Sequence, residues 1–155
     1  MTTLPDPPSD AMADPAFHAC LLAVEGDFAA AVARLCGHPV PEEAREDAVI
    51  RRAGYELGMQ ITDLKVVLPT YTYKTPPYNG IIEHEFCPVY VARMASDVQP
   101  NPEEVEDYKW MSWDDFVTQA ESDTEDVWSW WCKDQIKQLN QSELFLSFLS
   151  RTRRS

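Results

Sequence analysis

Residues 37–59 read GHPVPEEAREDAVIRRAGYELGM, and the fold is decided in this stretch. Ala44, Ala48, Val49, Ala53, Glu56 and Leu57 recur at helical spacing and Gly58 supplies a stop, which predicts a helix over residues 43–57. Downstream, LKVVLPTYTY (64–73) and IIEHEFCPVYVARM (81–94) are extended pieces divided by the turn chemistry of Pro76, Pro77, Asn79 and Gly80. They read as strands of one sheet. VEDYKWMSW (105–113) reads as a third strand running into a helix announced by Ser112, with Asp115 three residues on as in a capping box. A last helix is predicted over 125–149, carrying Trp128, Trp131, Ile136 and Leu139. Upstream, residues 16–35 are Ala- and Leu-rich with Gly26 inside, which predicts one or two short helices. Residues 1–15 contain four of the 12 prolines and form an expected disordered lead-in. Strands with helices on either side, in one domain over residues 16–150, indicate a layered α/β or α+β fold.

The chain has 155 residues, 45% of them hydrophobic, which suits a single core. With 26 acidic against 13 basic residues the formal charge is −13, which argues against nucleic acid and against an anionic membrane as main partner. Eleven carboxylates and one Lys fall between positions 97 and 126, a pattern read as a solvated acidic face. Residues 133–155 hold five basic residues against two acidic ones. The four cysteines, Cys20, Cys36, Cys87 and Cys132, make neither a CxxC pair nor a dense framework, which points to a reduced, cytoplasmic setting. No stretch approaches about 18 consecutive apolar residues. The start MTTLPDPPSD lacks the basic and then apolar regions of a signal peptide, so a soluble, unprocessed protein is expected.

The spacing in residues 37–59 resembles the Nudix box: a Gly, five residues, a Glu, seven residues, Arg-Glu, an apolar residue, any residue, Glu-Glu, any residue, Gly and an apolar residue. Gly37, Glu43, Arg51, Ala53, Glu56, Gly58 and Met59 fall on that pattern, while Arg52 and Tyr55 stand where the hydrolases have Glu. A charged amphipathic surface helix would explain Glu43 and Glu56 separately but not the spacing. In physical terms the box is a loop and helix that set carboxylates beside a diphosphate, with Mg²⁺ between two sets of hard oxygens. Arg52 and Tyr55 remove metal ligands that phosphoanhydride hydrolysis would use, and Arg52 offers a fork for a phosphate oxygen. The site is expected to hold a diphosphate without cleaving it.

Four ordered motifs make the resemblance closer: CGHP from Cys36, EDAVIRRAGYELG, EHEFCPVYVAR and EEVEDYKW. Together, over about residues 36–131, they look like the type 1 isopentenyl-diphosphate isomerases, a branch of the Nudix fold whose layered mixed sheet is flanked by helices. Members interconvert isopentenyl and dimethylallyl diphosphate by an allylic proton shift. The resemblance implies that Cys36 adds or removes a proton on one face of the five-carbon unit. It implies that Glu85 is both a metal ligand and the acid acting on the alkene, that Glu83 and His38 bind the same metal, and that Glu56 reaches the Mg²⁺ on the diphosphate. Arg52 would touch phosphate, Tyr73 would support Glu85, and Trp131, in Ser129-Trp130-Trp131, would face the cationic carbon.

Elementary chemistry agrees with those roles. Glu83 and Glu85 are two apart on a predicted strand, so they share a face while His84 takes the other. Two carboxylates and a His make an N/O site that suits six-coordinate Mn²⁺ or Mg²⁺ better than tetrahedral Zn²⁺, although the ligand types admit Zn²⁺. Protonating an unactivated alkene needs a strong acid in a water-poor pocket, because water would trap the tertiary carbocation. An indole face could lower the energy of that cation by about 1–2 kcal/mol. Trp128, Trp130 and Trp131 are each equally readable as ordinary packing, and Cys87 and Cys132 as small buried hydrophobes. His18 receives no ligand role.

The family's chain before CGHP normally holds two further metal-binding His, several Lys and Arg for the diphosphate, and a Trp-Pro-Gly approach to the cysteine. Only 35 residues precede Cys36 here, and they contain none of these. The expectation is therefore a fold incomplete on its N-terminal side, through truncation or a frameshift over 16–35, with a sheet edge left uncovered. Two other functional classes remain: a catalytically impaired family member, and a Nudix diphosphate hydrolase, disfavoured by Arg52 and Tyr55. The partner expected is a small prenyl diphosphate, and the oligomeric state is left open.

Overall fold

The computed structural model describes the strand backbones at 19–24 and 28–33, and residues 43–152 apart from 75–76, 78–79, 83, 106–107, 109 and 126. Helix α1 (Arg45–Leu57) realises the helix expected from the box. Glu46 and Asp47 in its first turn complement the amino end of the helix dipole. At its other end Gly58 takes a left-handed conformation, φ 56°, and its N–H closes on the Ala53 carbonyl. The departing chain there runs against residue 99, and a Cβ on Gly58 would lie 2.1 Å from the Gln99 carbonyl oxygen. Glycine is required at 58 on both counts.

Strands β3 (Ile61–Leu68) and β6 (Val89–Met94) pair antiparallel from Ile61 opposite Met94 to Leu68 opposite Val89, with irregular register on the way. β6 is buried on both faces. Val89 and Val91 enter a core with Val67, Phe116, Ile136, Leu139 and Phe145, whereas Tyr90 and Ala92 enter a second core with Val49, Ala53, Leu57 and Met59. Period-two alternation along one strand thus feeds a helix layer on each side of the sheet, α1 on one and the carboxy-terminal helices on the other. The layered α/β expectation holds, with every ladder among the described strands antiparallel.

The helices expected over 16–35 are replaced by a hairpin. β1 (Ala19–Val24) pairs antiparallel with β2 (Phe28–Ala33), and β2 runs along β6 through Phe28 opposite Arg93 and Ala29 opposite Ala92. The sheet order is β1-β2-β6-β3, so β6 is paired on both sides and the edge expected to be bare there is covered. Alanine's helix preference is a fraction of a kcal/mol per residue, and the unpaired backbone groups of β6 outweigh it.

The two extended pieces also divide differently. β4 (Thr72–Lys74) and β5 (His84–Phe86) form a separate two-stranded ladder, with Thr72 opposite Phe86, Tyr73 opposite Glu85 and Lys74 opposite His84. Pro69 and Pro88 explain the separation. Each lacks an N–H at the point where its strand would otherwise continue into the large sheet. The strand expected over 105–113 is absent among the described residues there, and Trp113 instead opens a helix. Its alternation found no partner strand, and Tyr108 and Trp110 pack edge to face on each other with centroids 6.4 Å apart.

Helix α2 (Trp113–Glu121) begins as the capping-box reading expects, the Ser112 hydroxyl accepting from the Asp115 N–H at 3.1 Å. The single helix expected over 125–149 is two: α3 (Trp130–Leu139) and α4 (Glu143–Thr152). Side chains at the break provide its reason. Asn140 accepts from the Trp113 indole N–H at 2.9 Å, and the Ser142 hydroxyl accepts from Phe145 N–H at 3.2 Å while donating to the Val67 carbonyl at 2.8 Å.

Candidate active site

On α1, Arg52 and Glu56 lie one turn apart and form an ion pair largely removed from solvent. Glu56 is only 5% exposed. Burial raises its pKa above the usual carboxylate value; the Arg52 guanidinium opposes that shift and the charge of Glu104 adds to it. The segment that brings Glu104 there is tied to the end of α1 by backbone bonds from Gln99 N–H to the Leu57 carbonyl, 2.9 Å, and from Asn101 N–H to the Glu56 carbonyl, 2.8 Å. The other box pair is a fork: Arg51 Nε and Nη2 donate to the two Glu43 oxygens at 2.8 and 2.9 Å, which fixes the approach to α1 and raises the Arg51 pKa. Tyr55, where hydrolases have Glu, is half exposed.

The second part of the site is aromatic. Tyr73, buried on β4, has Trp131 stacked on it with centroids 5.9 Å apart and Trp130 edge-on at 5.9 Å. Tyr71 completes the row at 6.5 Å from Tyr73 and donates its hydroxyl to the Trp131 carbonyl at 3.3 Å. Burial, with the charge of Asp134 added, holds Tyr71 protonated far above the ordinary phenol range. The backbone register sets Glu85 opposite Tyr73. The Arg45 guanidinium at the start of α1 lies over the Phe86 ring of β5, 4.6 Å from its centroid, and so links the two parts.

Of the residues singled out from the sequence, Arg52 meets Glu56 and Tyr73 meets Trp131, while Glu85 enters as Tyr73's cross-strand neighbour. Cys36, His38 and Glu83 lie outside the described residues. Among the described residues no three His, Cys, Asp or Glu side chains gather as metal donors. The sequence reading points the Arg52 fork at phosphate, and its partner here is Glu56.

Sequence reasoning missed Asp123, which it absorbed into a solvated acidic face. Its carboxylate is 5% exposed and pairs with Lys133 at 3.0 Å. It also accepts from the N–H groups of Glu125, Val127 and Trp128 at 3.3, 3.1 and 2.9 Å, and the bonds from Trp128 and Val127, with Lys133, hold its pKa down to about 2. The available signal was an Asp five residues ahead of an aromatic run and ten ahead of a Lys.

The NUDIX domain family matches residues 17–132, a span that includes the β1–β2 hairpin. Proteins named isopentenyl-diphosphate Delta-isomerase are also similar. That of Saccharopolyspora erythraea is 41% identical over 104 residues, 67% of this chain and 53% of its own length. That of Kocuria rhizophila is 43% identical over 103 residues, 66% of this chain and 57% of its own. One from Klebsiella pneumoniae is 38% identical over 119 residues, 77% of this chain and 64% of its own. The chain therefore spans roughly half to two thirds of the length of the curated relatives it matches. With Glu43 and Arg51 locked as a fork, Glu56 buried against Arg52, Gly58 turning the chain, and a match over more than half of its residues, the chain belongs to the NUDIX domain family.

Proposed function

We propose that this chain interconverts isopentenyl and dimethylallyl diphosphate, supplying allylic precursors for isoprenoid assembly in the cytoplasm. The observation that carries the reading is the aromatic wall in which Trp130 and Trp131 of α3 pack on Tyr73, the register partner of Glu85 on the β4–β5 ladder. Attack of water on a phosphoanhydride develops no carbocation for such a wall to stabilise. Protonation of an alkene does, and ring faces attract the positive charge by about 1–2 kcal/mol without offering a nucleophile that would trap it. The identity to proteins named for this reaction supports the same substrate class. Cys87 and Cys132 are buried and outside any disulfide among the described residues, which supports a reducing compartment.

Glu85 gives a proton to the terminal CH₂ carbon of the isopentenyl alkene, which leaves a tertiary cation, and Cys36 takes a proton from the neighbouring methylene to leave the dimethylallyl double bond. One proton enters and one leaves, so the diphosphate and the oxidation level are unchanged. Tyr73 supports the Glu85 carboxyl, and Trp131 lies over the cationic carbon. Glu56 fits a hard divalent cation, since it is a buried carboxylate that also feels the charge of Glu104. His38, Glu83, Glu85 and Glu56 would hold Mg²⁺ or Mn²⁺, or Zn²⁺ at the His/Glu part, and a bound cation would supply charge neutralisation for the diphosphate and acidity at the carboxyl. Arg52, by engaging Glu56, opposes the upward shift that burial imposes on that carboxylate.

Incubation of the purified protein with isopentenyl diphosphate and Mg²⁺, read by proton NMR, tests this. Appearance of the dimethylallyl isomer supports the reading, with loss expected in Cys36→Ser and Glu85→Gln. Release of phosphate or pyrophosphate would assign a hydrolase instead, and no turnover at all would assign a non-catalytic member of the family.

A further inference from the structure

We infer that Asp123 is a positioning residue for Trp130 and Trp131: its carboxylate ties the turn before α3 to the first turn of that helix, and so sets the indoles against Tyr73. The inference rests on the reading above for its catalytic meaning, but its geometry stands apart from it. Oδ1 accepts from the N–H groups of Glu125 and Val127, and Oδ2 accepts from Trp128 N–H. Lys133, on the first turn of α3, reaches back to Oδ2 at 3.0 Å and to the Asp123 carbonyl at 3.4 Å. One carboxylate therefore gathers three backbone amides from residues 125–128 and the Lys133 ammonium from beyond Ser129, the capping residue. A carboxylate on a merely solvated face would meet water at those oxygens.

Those bonds lead directly to the aromatic wall. Trp128, whose N–H Asp123 binds, packs edge-on to Phe116 of α2 with centroids 4.9 Å apart. Ser129 then caps α3 by accepting from Cys132 N–H at 3.4 Å, and the next two residues are Trp130 and Trp131. The turn is thus pinned to α2 by Trp128 and to α3 by Lys133, with Asp123 common to both. Rotation of α3 about its axis would carry both indoles off Tyr73, because both stand on its first turn, each with its centroid 5.9 Å from the Tyr73 ring. Displacements on the order of 1 Å at a reacting centre cost up to about a hundredfold in rate.

The experiment compares Asp123→Asn, Asp123→Ala and Lys133→Met with the parent protein. The readouts are kcat and KM for isopentenyl diphosphate and the near-ultraviolet circular dichroism of the coupled Tyr and Trp rings. Positioning predicts kcat reduced about tenfold or more in Asp123→Ala with KM within about threefold, because α1 binds the diphosphate. Asp123→Asn, which keeps one carbonyl oxygen for the amides, retains more activity, and Lys133→Met retains more of the aromatic signal than Asp123→Ala. A purely structural role would lower the melting temperature while leaving kcat and the aromatic spectrum of the folded protein unchanged, and that result overturns the inference. Should Asp123→Ala not fold, Asp123→Asn and Lys133→Met carry the same comparison. If the parent protein fails to isomerise the substrate, the functional reading fails by itself, and the aromatic spectrum of the variants still decides whether Asp123 positions the indoles.

Discussion

Replacing Gly58 by Ala perturbs the junction where the box helix ends. Two independent costs follow from the structure. The backbone sits at φ 56°, where an L side chain costs about 1 kcal/mol or more relative to glycine. The added Cβ would lie 2.1 Å from the Gln99 oxygen and 3.0 Å from its carbonyl carbon, so residue 99 must retreat. That retreat strains the Gln99 to Leu57 and Asn101 to Glu56 backbone bonds, each worth about 1 kcal/mol. The sum is a loss of about 3 kcal/mol, a fall in melting temperature on the order of 10 °C for a domain of this size. Gly54 is the internal control, because it lies inside α1 with no positive φ, and a Cβ added there would meet nothing within 4 Å. Gly54→Ala is expected to stabilise by about 0.5–1 kcal/mol through helix propensity. Urea denaturation with both slopes free measures the pair. A loss below about 1 kcal/mol for Gly58→Ala, or losses of equal size for the two variants, would refute the reasoning.

The depressed Asp123 carboxyl makes stability pH-dependent in a known sense: the contribution is fully present above the ordinary carboxylate range and disappears as pH falls from about 4 towards about 2. Acid titration of unfolding should therefore show a steeper loss in the parent than in Asp123→Asn, and parallel curves would remove Asp123 from the account. Glu56 acts in the opposite direction, since its raised pKa favours the folded state at low pH and the advantage is lost as pH rises through the folded value; Glu56→Gln should flatten that segment of the curve. The Arg51–Glu43 fork is partly exposed, so a double-mutant cycle should return a coupling of about 0.5–1 kcal/mol that weakens in salt, and a salt-independent value would contradict the surface setting. Trp131→Leu should lower kcat about tenfold with less effect on KM, whereas an unchanged kcat would remove the indole from the reacting face.

The box helix was legible because several constraints coincide in one window: the apolar spacing of Val49, Ala53 and Leu57, the fork partners Glu43 and Arg51, and a glycine where the chain must turn left-handed. The capping serine at 112 was legible for the same reason, a local bond between residues three apart. What escaped depends on partners distant in sequence. The 19–33 segment is helical by composition and extended because β6 offers it a ladder. The break at 140–142 is written in bonds to Trp113 and Val67, far up the chain. Asp123 looked like one more surface acid because its amide partners become neighbours only once the turn closes. For the site, the sequence singled out Arg52 for phosphate and Glu56 for Mg²⁺ separately, and the fold pairs them across one helical turn, while the Tyr73–Trp131 stack joins residues that only the tertiary fold brings together.

The separate β4–β5 ladder has a consequence for hydrogen exchange and for divergence. It holds three register pairs, with the Cys87 N–H to Tyr71 carbonyl bond beyond them, and prolines at 69 and 88 keep its backbone from merging with the ladder of β6. A unit that short opens at a lower free energy than a strand paired on both sides, so the amides of 72–74 and 84–86 exchange before those of 89–94. Substitutions on the strand bearing Glu85 can therefore be absorbed within that small ladder while the β6 ladder and α1 keep their register.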